Sequence, residues 1–540
     1  MQSRDQQYRW LGDQATVEWL GARDKVAVFV FSEVPSWLGA LGEVTARSLD
    51  CGTGQVEMHL WTRATPYQGD SGIPQAPWVS VESALMRVLG VAGGGRALAA
   101  RLAELAPGRV TSEEPTEVLA PEPQARADML SDSADLPLRD VHYKASAAGW
   151  AVYGNLSNLT MSSYATDLVS DDDTRLMLES YAAVYDHAVE TLSRTRPDAV
   201  VLFNGRWLHE WAAREAAEQV GVPIVVVEAG RDERHFSTHS QSAHDEDQFA
   251  HRFRFTWETQ AGLPEAEANE IAHRWFTSRR TAPTSANPFV ALQVAGEVPT
   301  PVEGRRRIVY YTSSADELLA AGRSWLSPFG SQEEILERLV ALAERDGSVQ
   351  LVIRIHPHTL MKNSMDQHLW SRFQERAGRH VVVIPPDSTI DSYALAESSD
   401  LVLSIGSTMG IEAAYWGVPS ATLGPALYDS LGVATVIHEF DDAFDDAFDV
   451  RVDDEERALR RERALAWGLH EAVLGTEFRY YCPERPLYRF AGAPLARRGA
   501  LQSFVPEGLS RRRGRAALTR MRSQWDAGYR SGSGEGLKSD

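Results

Sequence analysis

Short apolar runs that break off into polar residues mark the stretch between residues 349 and 424. The run 351–355, apolar except for Arg354, is followed by a His-Pro pair, and the run 401–405, apolar except for Ser404, is followed by Gly-Ser-Thr. Nearly continuous apolar runs of this kind, separated by helical segments, are typical of strands buried on both faces of a parallel sheet. Open α/β sheets bind ligands just outside the carboxyl ends of their strands. We therefore expect both polar breaks to lie at the ligand-binding edge of one sheet.

The chain as a whole predicts two such sheets, because its 540 residues are too many for a single core. A proline-rich stretch at 281–302 separates the series of strands and helices around these runs from an earlier series. In that earlier series, strands are predicted at 25–32, 197–203 and 223–228. The expected fold is α/β, with two doubly wound Rossmann-like domains that face a cleft. We expect the domains at 1–295 and 303–475, followed by a C-terminal helical extension with a disordered basic tail at 476–540.

Charge and composition limit the partners of the chain. A formal net charge of -21 argues against nucleic acid, whose recognition begins with a basic surface. The two cysteines, Cys51 and Cys482, lie far apart and form no metal or redox motif, which fits a reducing cytoplasm. Six arginines between residues 511 and 522 form a basic tail. Two readings of it stay open: peripheral contact with the anionic inner face of the cell membrane, or a solvated helix.

The pair His356-Pro357 places one imidazole at a fixed position after a strand, because proline sets the backbone and prevents a helix from continuing. Such an imidazole can donate a hydrogen bond to a phosphate oxygen. Arg354 and Lys362 lie nearby in the sequence and favour the binding of an anion. A purely structural strand exit is the alternative.

The segment from Gly406 to Glu412 is expected to open a short helix after a buried strand. Free backbone N–H groups at a helix start attract anions, and Ser407 and Thr408 add two hydroxyl groups. Thr408 and Glu412 are one helical turn apart, so both can face the cleft. A carboxylate there suits the hydroxyl groups of a ribose. The alternative is a plain helix cap with an exposed glutamate.

A third strand is predicted at 308–312, at the start of the second domain. It is followed by the hydroxyl groups of Ser313 and Ser314 and by the carboxylate of Glu317. Three strand ends that meet at one edge predict a binding site for a phosphorylated ligand. The favoured ligand is a nucleotide sugar. The predicted donor nucleotide-binding residues are Ser313, Ser314, Glu317, Arg354, His356, Pro357, Lys362, Gly406, Ser407, Thr408 and Glu412.

With these motifs, residues 305–430 resemble the capsular-polysaccharide and cell-surface glycosyltransferases of the GT-B type, which include bacterial sialyltransferases and capsule Kdo transferases. In those enzymes a His-Pro motif and a Ser-Ser or Ser-Thr motif hold the phosphate of a cytidine nucleotide. The matching positions here are His356-Pro357 and Ser407-Thr408. The resemblance implies transfer of a sugar from a nucleotide sugar, with CMP-linked donors favoured, to a surface polysaccharide or a lipid-linked glycan.

Transfer without a metal is common in this fold, so we expect neither a metal nor another cofactor. Four histidines at positions 235, 239, 244 and 251 would have to converge to bind zinc. A polar cleft loop is the preferred reading of that segment.

The first domain is expected to bind the acceptor through Asn204, Gly205 and Arg206. Sialyltransferases carry an acidic pair followed by glycine, which supplies the catalytic base. The nearest segment here begins at Glu228, with Asp232 and Glu233 close behind. A carboxylate at a cleft-facing strand end can deprotonate an acceptor hydroxyl, so we predict Glu228 as the base and the other two as substitutes. A structural Glu228 paired with an arginine is the alternative.

Two other functions stay open. A UDP-sugar 2-epimerase shares this fold and a His-Pro corner, but usually carries an Asp-Ser-Gly-Gly turn followed by paired glutamates. This chain has Gly-Ser-Thr-Met-Gly at 406–410 and the single Glu412, which disfavours an epimerase. A noncatalytic scaffold in a glycan assembly complex would have no nucleotide affinity.

Overall fold

A computed structural model describes most of the chain between residues 12 and 497. The described residues are 12–32, 34–52, 54–62, 64–65, 67, 94–281, 290, 293–362, 364–378, 380–437, 444–483 and 487–497. The basic tail expected after residue 510 lies outside them. No helix in these ranges is long and apolar enough to cross a membrane.

The strands form two large sheets and one small one. In chain order they are β1 (Lys25–Val30), β2 (Gln55–Leu60), β3 (Val110–Glu113), β4 (Ala199–Phe203), β5 (Ile224–Ala229), β6 (His235–Ser240), β7 (Arg306–Tyr311), β8 (Val349–Arg354), β9 (Val381–Ile384), β10 (Leu401–Ser404), β11 (Ser420–Thr422), β12 (Thr435–Val436), β13 (Thr476–Glu477), β14 (Tyr481–Cys482), β15 (Leu487–Phe490) and β16 (Ala493–Arg497).

The helices connect these strands and cover both faces of the large sheets. They are α1 (Asp13–Gly21), α2 (Pro35–Cys51), α3 (Gly94–Leu105), α4 (Pro123–Asp135), α5 (Ala148–Thr160), α6 (Ala165–Leu168), α7 (Asp171–Thr195), α8 (Leu208–Val220), α9 (Glu246–Glu258), α10 (Glu265–Thr281), α11 (Ala315–Ala321), α12 (Gln332–Arg345), α13 (Ser364–Glu375), α14 (Ser392–Glu397), α15 (Met409–Tyr415) and α16 (Asp454–Val473).

The first sheet has the strand order β13-β6-β5-β4-β1-β2-β3. The five strands from β5 to β3 pair in parallel, whereas β6 and β13 are antiparallel additions at one edge. The second sheet has the order β12-β11-β10-β7-β8-β9, and all its pairs are parallel. In both sheets the first strand lies in the middle and the chain builds outward in both directions, which is the doubly wound arrangement. The fold class expected from the sequence is confirmed.

The apolar strands form because both faces of each sheet are covered. In β4, Val200 and Leu202 belong to one core cluster while Val201 and Phe203 belong to the cluster on the other face. In β10, Leu403 and Val402 divide in the same way between two clusters of the second sheet. Side chains alternate between the faces of a strand, so a strand buried on both faces needs a continuous apolar sequence. This is why these runs were recognisable.

The chain returns to the first sheet after completing the second. Helix α16 packs in one apolar cluster with α9, α10 and α15, and β13 then pairs with β6. The following β14, β15 and β16 form a small antiparallel sheet against α2 and α3. The expectation of a helical extension after residue 476 is therefore wrong for its described part, where Tyr481 and Phe490 add apolar rings to the core of the first domain.

The two domains touch along one side of the cleft. Helix α5 lies against α11, and a Cβ atom on Gly154 would stand 3.1 Å from the carbonyl oxygen of Leu319. Glycine therefore allows the two backbones to approach closely. Nearby, Ser163 Oγ donates to the carboxylate of Asp366 at 3.1 Å, and Ser162 donates to the same carboxylate. These contacts leave the carboxyl ends of both parallel sheets facing the cleft.

Candidate functional site

A cavity of about 660 Å³ lies at the carboxyl edge of the second sheet. Strands β7 and β10 are neighbours there, and the helices that follow them pack on opposite faces of the sheet, since Leu318 of α11 and Ala413 of α15 belong to different core clusters. Open α/β sheets bind ligands at such a point. The cavity is lined by ten of the eleven residues predicted to bind the nucleotide: Ser313, Ser314, Glu317, Arg354, His356, Pro357, Gly406, Ser407, Thr408 and Glu412. The structure thus brings together the three strand ends that the sequence singled out.

His356 is held through its backbone N–H and its Nδ1. Its backbone N–H donates to Thr312 Oγ1 at 2.8 Å, and its Nδ1 accepts from the backbone N–H of His358 at 3.1 Å. An imidazole nitrogen that accepts carries no proton, so the ring proton is on Nε2. Burial, aided by the nearby His358, Lys362 and Arg354, lowers the pKa of His356 to about 3. The ring is therefore neutral near pH 7 and presents an N–H donor.

Arg354 is a buried cation in the cavity wall. Its guanidinium donates through Nη1 to the carbonyl oxygen of Pro385 at 2.5 Å, and the residue is only 2% exposed. Among the described residues, nothing accepts from its Nε or Nη2. Burial lowers its pKa to about 10, so it is still charged near pH 7. A buried guanidinium with donors to spare favours an anion in the adjacent cavity.

Lys362 is the predicted donor residue that does not line the cavity. Its ammonium group forms a buried ion pair with Asp316 on α11. The lysine lies close to His356 in the sequence, but Asp316 holds its charge. Lys362 therefore fixes the segment after β8 to α11, and its part in donor binding stays a prediction.

Ser313 uses its hydroxyl proton within the protein, since Ser313 Oγ donates to the carbonyl oxygen of Ile405 at the end of β10. Its backbone N–H donates to Gln332 Oε1 at 2.7 Å. The hydroxyl thus ties the ends of β7 and β10 together, and only its lone pairs can face a ligand. Ser407 keeps its hydroxyl at the cavity, where Ser407 Oγ accepts a long 3.4 Å bond from the backbone N–H of Met409.

Glu412 is fully engaged by protein groups although it lines the cavity. Its Oε1 accepts from Arg279 Nη2 at 3.0 Å, and its Oε2 accepts from the Tyr393 hydroxyl at 2.5 Å. The glutamate is 1% exposed, so the reading of an exposed glutamate beyond a helix cap is wrong. Each carboxylate oxygen has a second lone pair, so the group can still accept from a ligand. The pair also fixes α10 to the second domain.

Sequence reasoning missed the opposite wall of the cavity. That wall is built by α10, α14, α16 and the segment before β7, through Trp275, Arg279, Gln293, Tyr393, Trp467 and Glu471. No described residue donates a hydrogen bond to the Glu471 carboxylate, and burial raises its pKa to about 7. A carboxyl of this kind can exchange a proton near neutral pH. No local sequence motif predicts a role for Glu471, because α16 reaches the cavity only through packing between distant parts of the chain.

The predicted acceptor residues meet at the carboxyl edge of the first sheet. Asn204 and Gly205 have positive φ angles of 62° and 74°, a conformation that favours these two residue types. The Asn204 side chain donates to Glu228 and accepts from Arg206, whose N–H and Nε both lie 3.2 Å from Asn204 Oδ1. Burial raises the pKa of the Glu228 carboxyl, and Arg206 opposes the rise.

Asp232 and Glu233, the two alternative candidates for the catalytic base, lie in the turn after β5. Asp232 is exposed and closes the turn between β5 and β6, where its Oδ1 bonds His235 Nδ1 at 2.5 Å and accepts from the Arg234 N–H at 2.8 Å. Glu233 is exposed in the same turn. Neither residue lines the cavity.

Arg206 connects the two edges electrostatically. It acts on the carboxyl of Glu228 in the first domain and on that of Glu317 in the second, and at each it opposes the rise in pKa that burial causes. Glu317 lines the cavity, whereas Asn204, Gly205, Arg206 and Glu228 do not. The acceptor edge therefore lies outside the cavity wall, but close enough for Arg206 to act on a residue that lines it.

Most of the histidine-rich segment is regular structure, so the expectation of a polar loop is right only for residues 241–245, where His244 lies. His235 and His239 lie on β6, and His251 lies on α9. His239 Nδ1 bonds the buried Arg252 at 2.7 Å. A cationic guanidinium at that nitrogen makes it a poor metal ligand. The described residues contain no group of three metal-binding side chains.

Comparison with known proteins supports part of this picture. Residues 324–442, about a fifth of the chain, match a family described as capsule polysaccharide biosynthesis protein. This match agrees with the resemblance noted for residues 305–430, and it spans both the His-Pro pair and the Ser-Thr pair. No curated protein matches the chain.

Solved structures with a related chain trace include two bacterial enzymes. The Kdo 2,4 transferase KpsC of Thermosulfurimonas dismutans is 16% identical over 50% of this chain and 79% of its own, with a TM-score of 0.32. The UDP-GlcNAc 2-epimerase of Neisseria meningitidis is 12% identical over 83% of this chain and 97% of its own, with a TM-score of 0.24. Likenesses at these scores carry no weight for function.

Proposed function

We propose that the protein is a glycosyltransferase that binds a nucleotide sugar, CMP-linked in the favoured case, in the cavity at the edge of the second sheet. It transfers the sugar to a surface polysaccharide or a lipid-linked glycan held at the edge of the first sheet. The observation that carries this proposal is the convergence of Ser313, His356 and Ser407 in one cavity at the carboxyl edge of the second doubly wound sheet. The match of residues 324–442 to the capsule polysaccharide family supports it.

The phosphate of the donor would meet two kinds of donor groups. His356 offers a neutral Nε2–H, and Ser407 offers a hydroxyl. Arg354 adds a buried positive charge behind them. Together these groups stabilise the charge that develops on the leaving nucleotide, and in this account transfer needs no metal ion and no other cofactor.

Glu228 is the proposed base that takes the proton of the acceptor hydroxyl. Burial raises the pKa of its carboxyl, which makes it a stronger base than an exposed glutamate, and Asn204 fixes its carboxylate. Arg206, beside it, can orient the acceptor by donating hydrogen bonds. Glu471 in the cavity is the competing carboxylate.

The test is incubation with a panel of CMP-, UDP- and GDP-sugars, with and without capsular oligosaccharides, followed by mass spectrometry. Release of the nucleotide together with a glycan one sugar heavier supports the proposal. Conversion of a UDP-sugar into its 2-epimer assigns the protein to the epimerases instead. The scaffold reading predicts that no donor is bound or consumed.

A further inference from the structure

The carboxyl edge of the first sheet carries a stack of aromatic rings. Trp37 lies parallel to Phe203, with ring centroids 4.9 Å apart and planes at 18°. Its indole also stacks on Trp207, with centroids 5.6 Å apart and planes at 29°. Trp37 and Trp207 are both half-buried, so the stack reaches the surface at its Trp207 end.

This stack lies at the switch point of the first sheet. Trp37 is in the first turn of α2, which follows β1, and Trp207 immediately precedes α8, which follows β4. Strands β1 and β4 are neighbours, while α2 and α8 pack on opposite faces of the sheet. The crevice between two such helices is the place where a doubly wound sheet binds its ligand.

The two switch points differ in chemistry. The cavity of the second sheet presents hydroxyl groups, an imidazole and a guanidinium, which suit a phosphate. The first sheet presents indole rings, and beside them Asn204, Arg206 and Glu228. The apolar face of a sugar ring packs on an aromatic ring while its hydroxyl groups reach hydrogen-bonding partners around the ring edge.

The indole N–H groups of Trp37 and Trp207 also favour a ligand at the first sheet. No described residue accepts a hydrogen bond from Nε1 of Trp37 or Trp207. By comparison, the nearby Trp211 donates to Glu215 at 2.8 Å, and Trp325 donates to the carbonyl oxygen of His244 at 3.0 Å. Two half-buried donors that no described residue accepts from can bind the oxygen atoms of a ligand.

From these observations we infer that Trp207, supported by Trp37, is the stacking platform for a sugar ring of the acceptor glycan, with Asn204, Arg206 and Glu228 binding its hydroxyl groups. The inference rests on the proposed function and deepens it by assigning the acceptor subsite. A glycan seated there has a hydroxyl group beside Glu228 and faces the donor cavity across Arg206.

The test is an array of bacterial capsular and lipopolysaccharide oligosaccharides, probed with the full chain in the absence of any donor. We expect Trp207→Ala to weaken binding to the retained glycans by about tenfold or more, while Trp207→Phe keeps most of it. Trp19→Ala is the matched control, because Trp19 is a half-buried indole on α1 of the same domain.

Calorimetry with CMP on the same variants separates the two proposals. If CMP binds every variant equally and Trp207→Ala loses the glycan, the inference holds. If CMP binds but the parent retains no glycan, or Trp207→Ala retains it like Trp19→Ala, the platform is refuted and the proposed function survives. If neither CMP nor UDP binds the parent, the proposed function is refuted, and the acceptor platform that rests on it is refuted as well.

Discussion

Replacement of His356 by asparagine isolates the ligand-facing half of the imidazole. In the protein, Nδ1 accepts from the His358 N–H and so caps the turn that follows β8. An asparagine side chain accepts from the backbone two residues on in the same way, so His356→Asn keeps the cap. What it removes is the Nε2–H donor at the cavity.

The expected loss of CMP affinity follows from the charge of the phosphate that His356 binds. A hydrogen bond to a charged group contributes about 1.5–3 kcal/mol, so His356→Asn should raise the Kd for CMP by roughly 10- to 150-fold. The pKa of His356 is lowered to about 3, so the ring is neutral across the neutral range. The fold-change should therefore be the same at about pH 6 and about pH 8, whereas binding by an imidazolium would weaken as pH rises.

Isothermal titration calorimetry with CMP at both pH values measures this effect. His142→Ala is the control, because His142 is exposed and its Nδ1 bonds the carbonyl oxygen of Asp140 at 2.9 Å, outside the cavity. A Kd for His356→Asn within about twofold of the parent would refute the role assigned to this residue. A loss confined to the lower pH would refute the neutral tautomer.

Four further predictions concern other parts of the molecule. Glu228→Gln should lower turnover at saturating donor by about 100-fold while donor affinity is kept, and a change of only a few-fold would move the base role to another carboxylate. Arg279→Met should destabilise the fold by about 3–5 kcal/mol, because it leaves the buried Glu412 without its cation; a midpoint of urea unfolding equal to the parent's contradicts this. Burial raises the pKa of Glu210 to about 8, so the folded state binds more protons than the unfolded state between about pH 5 and pH 8, and stability falls as pH rises through that window. Glu210→Gln should flatten this fall, measured by urea unfolding at both ends of the window, and an equally steep fall in the variant rules out Glu210 as its source. For the basic tail, we expect a chain ending at Gly508 to sediment less with anionic liposomes than the full chain, and equal sedimentation would favour the solvated helix.

The sequence was most informative where one local conformation demands particular residues. Asn204 and Gly205 have positive φ angles, and the His-Pro pair leaves a strand that is buried on both faces. Patterns of this kind are visible within about ten residues, which is why the strand ends and the doubly wound order could be predicted.

The remaining features depend on contacts between distant parts of the chain. Lys362 follows the His-Pro corner, yet Asp316, 46 residues earlier, holds its charge. Glu471 and Trp467 reach the cavity only because α16 packs on α10. The strands after residue 476 form because their apolar side chains complete the core of the first domain. No local periodicity encodes such long-range packing.

The most direct test of the central claim is a crystal structure of the full chain soaked with CMP. The account predicts electron density for the nucleotide in the cavity at the edge of the second sheet, with phosphate oxygens within hydrogen-bond distance of His356 Nε2 and Ser407 Oγ. An empty cavity at a CMP concentration that saturates the protein in solution, or a nucleotide bound elsewhere on the molecule, would contradict it.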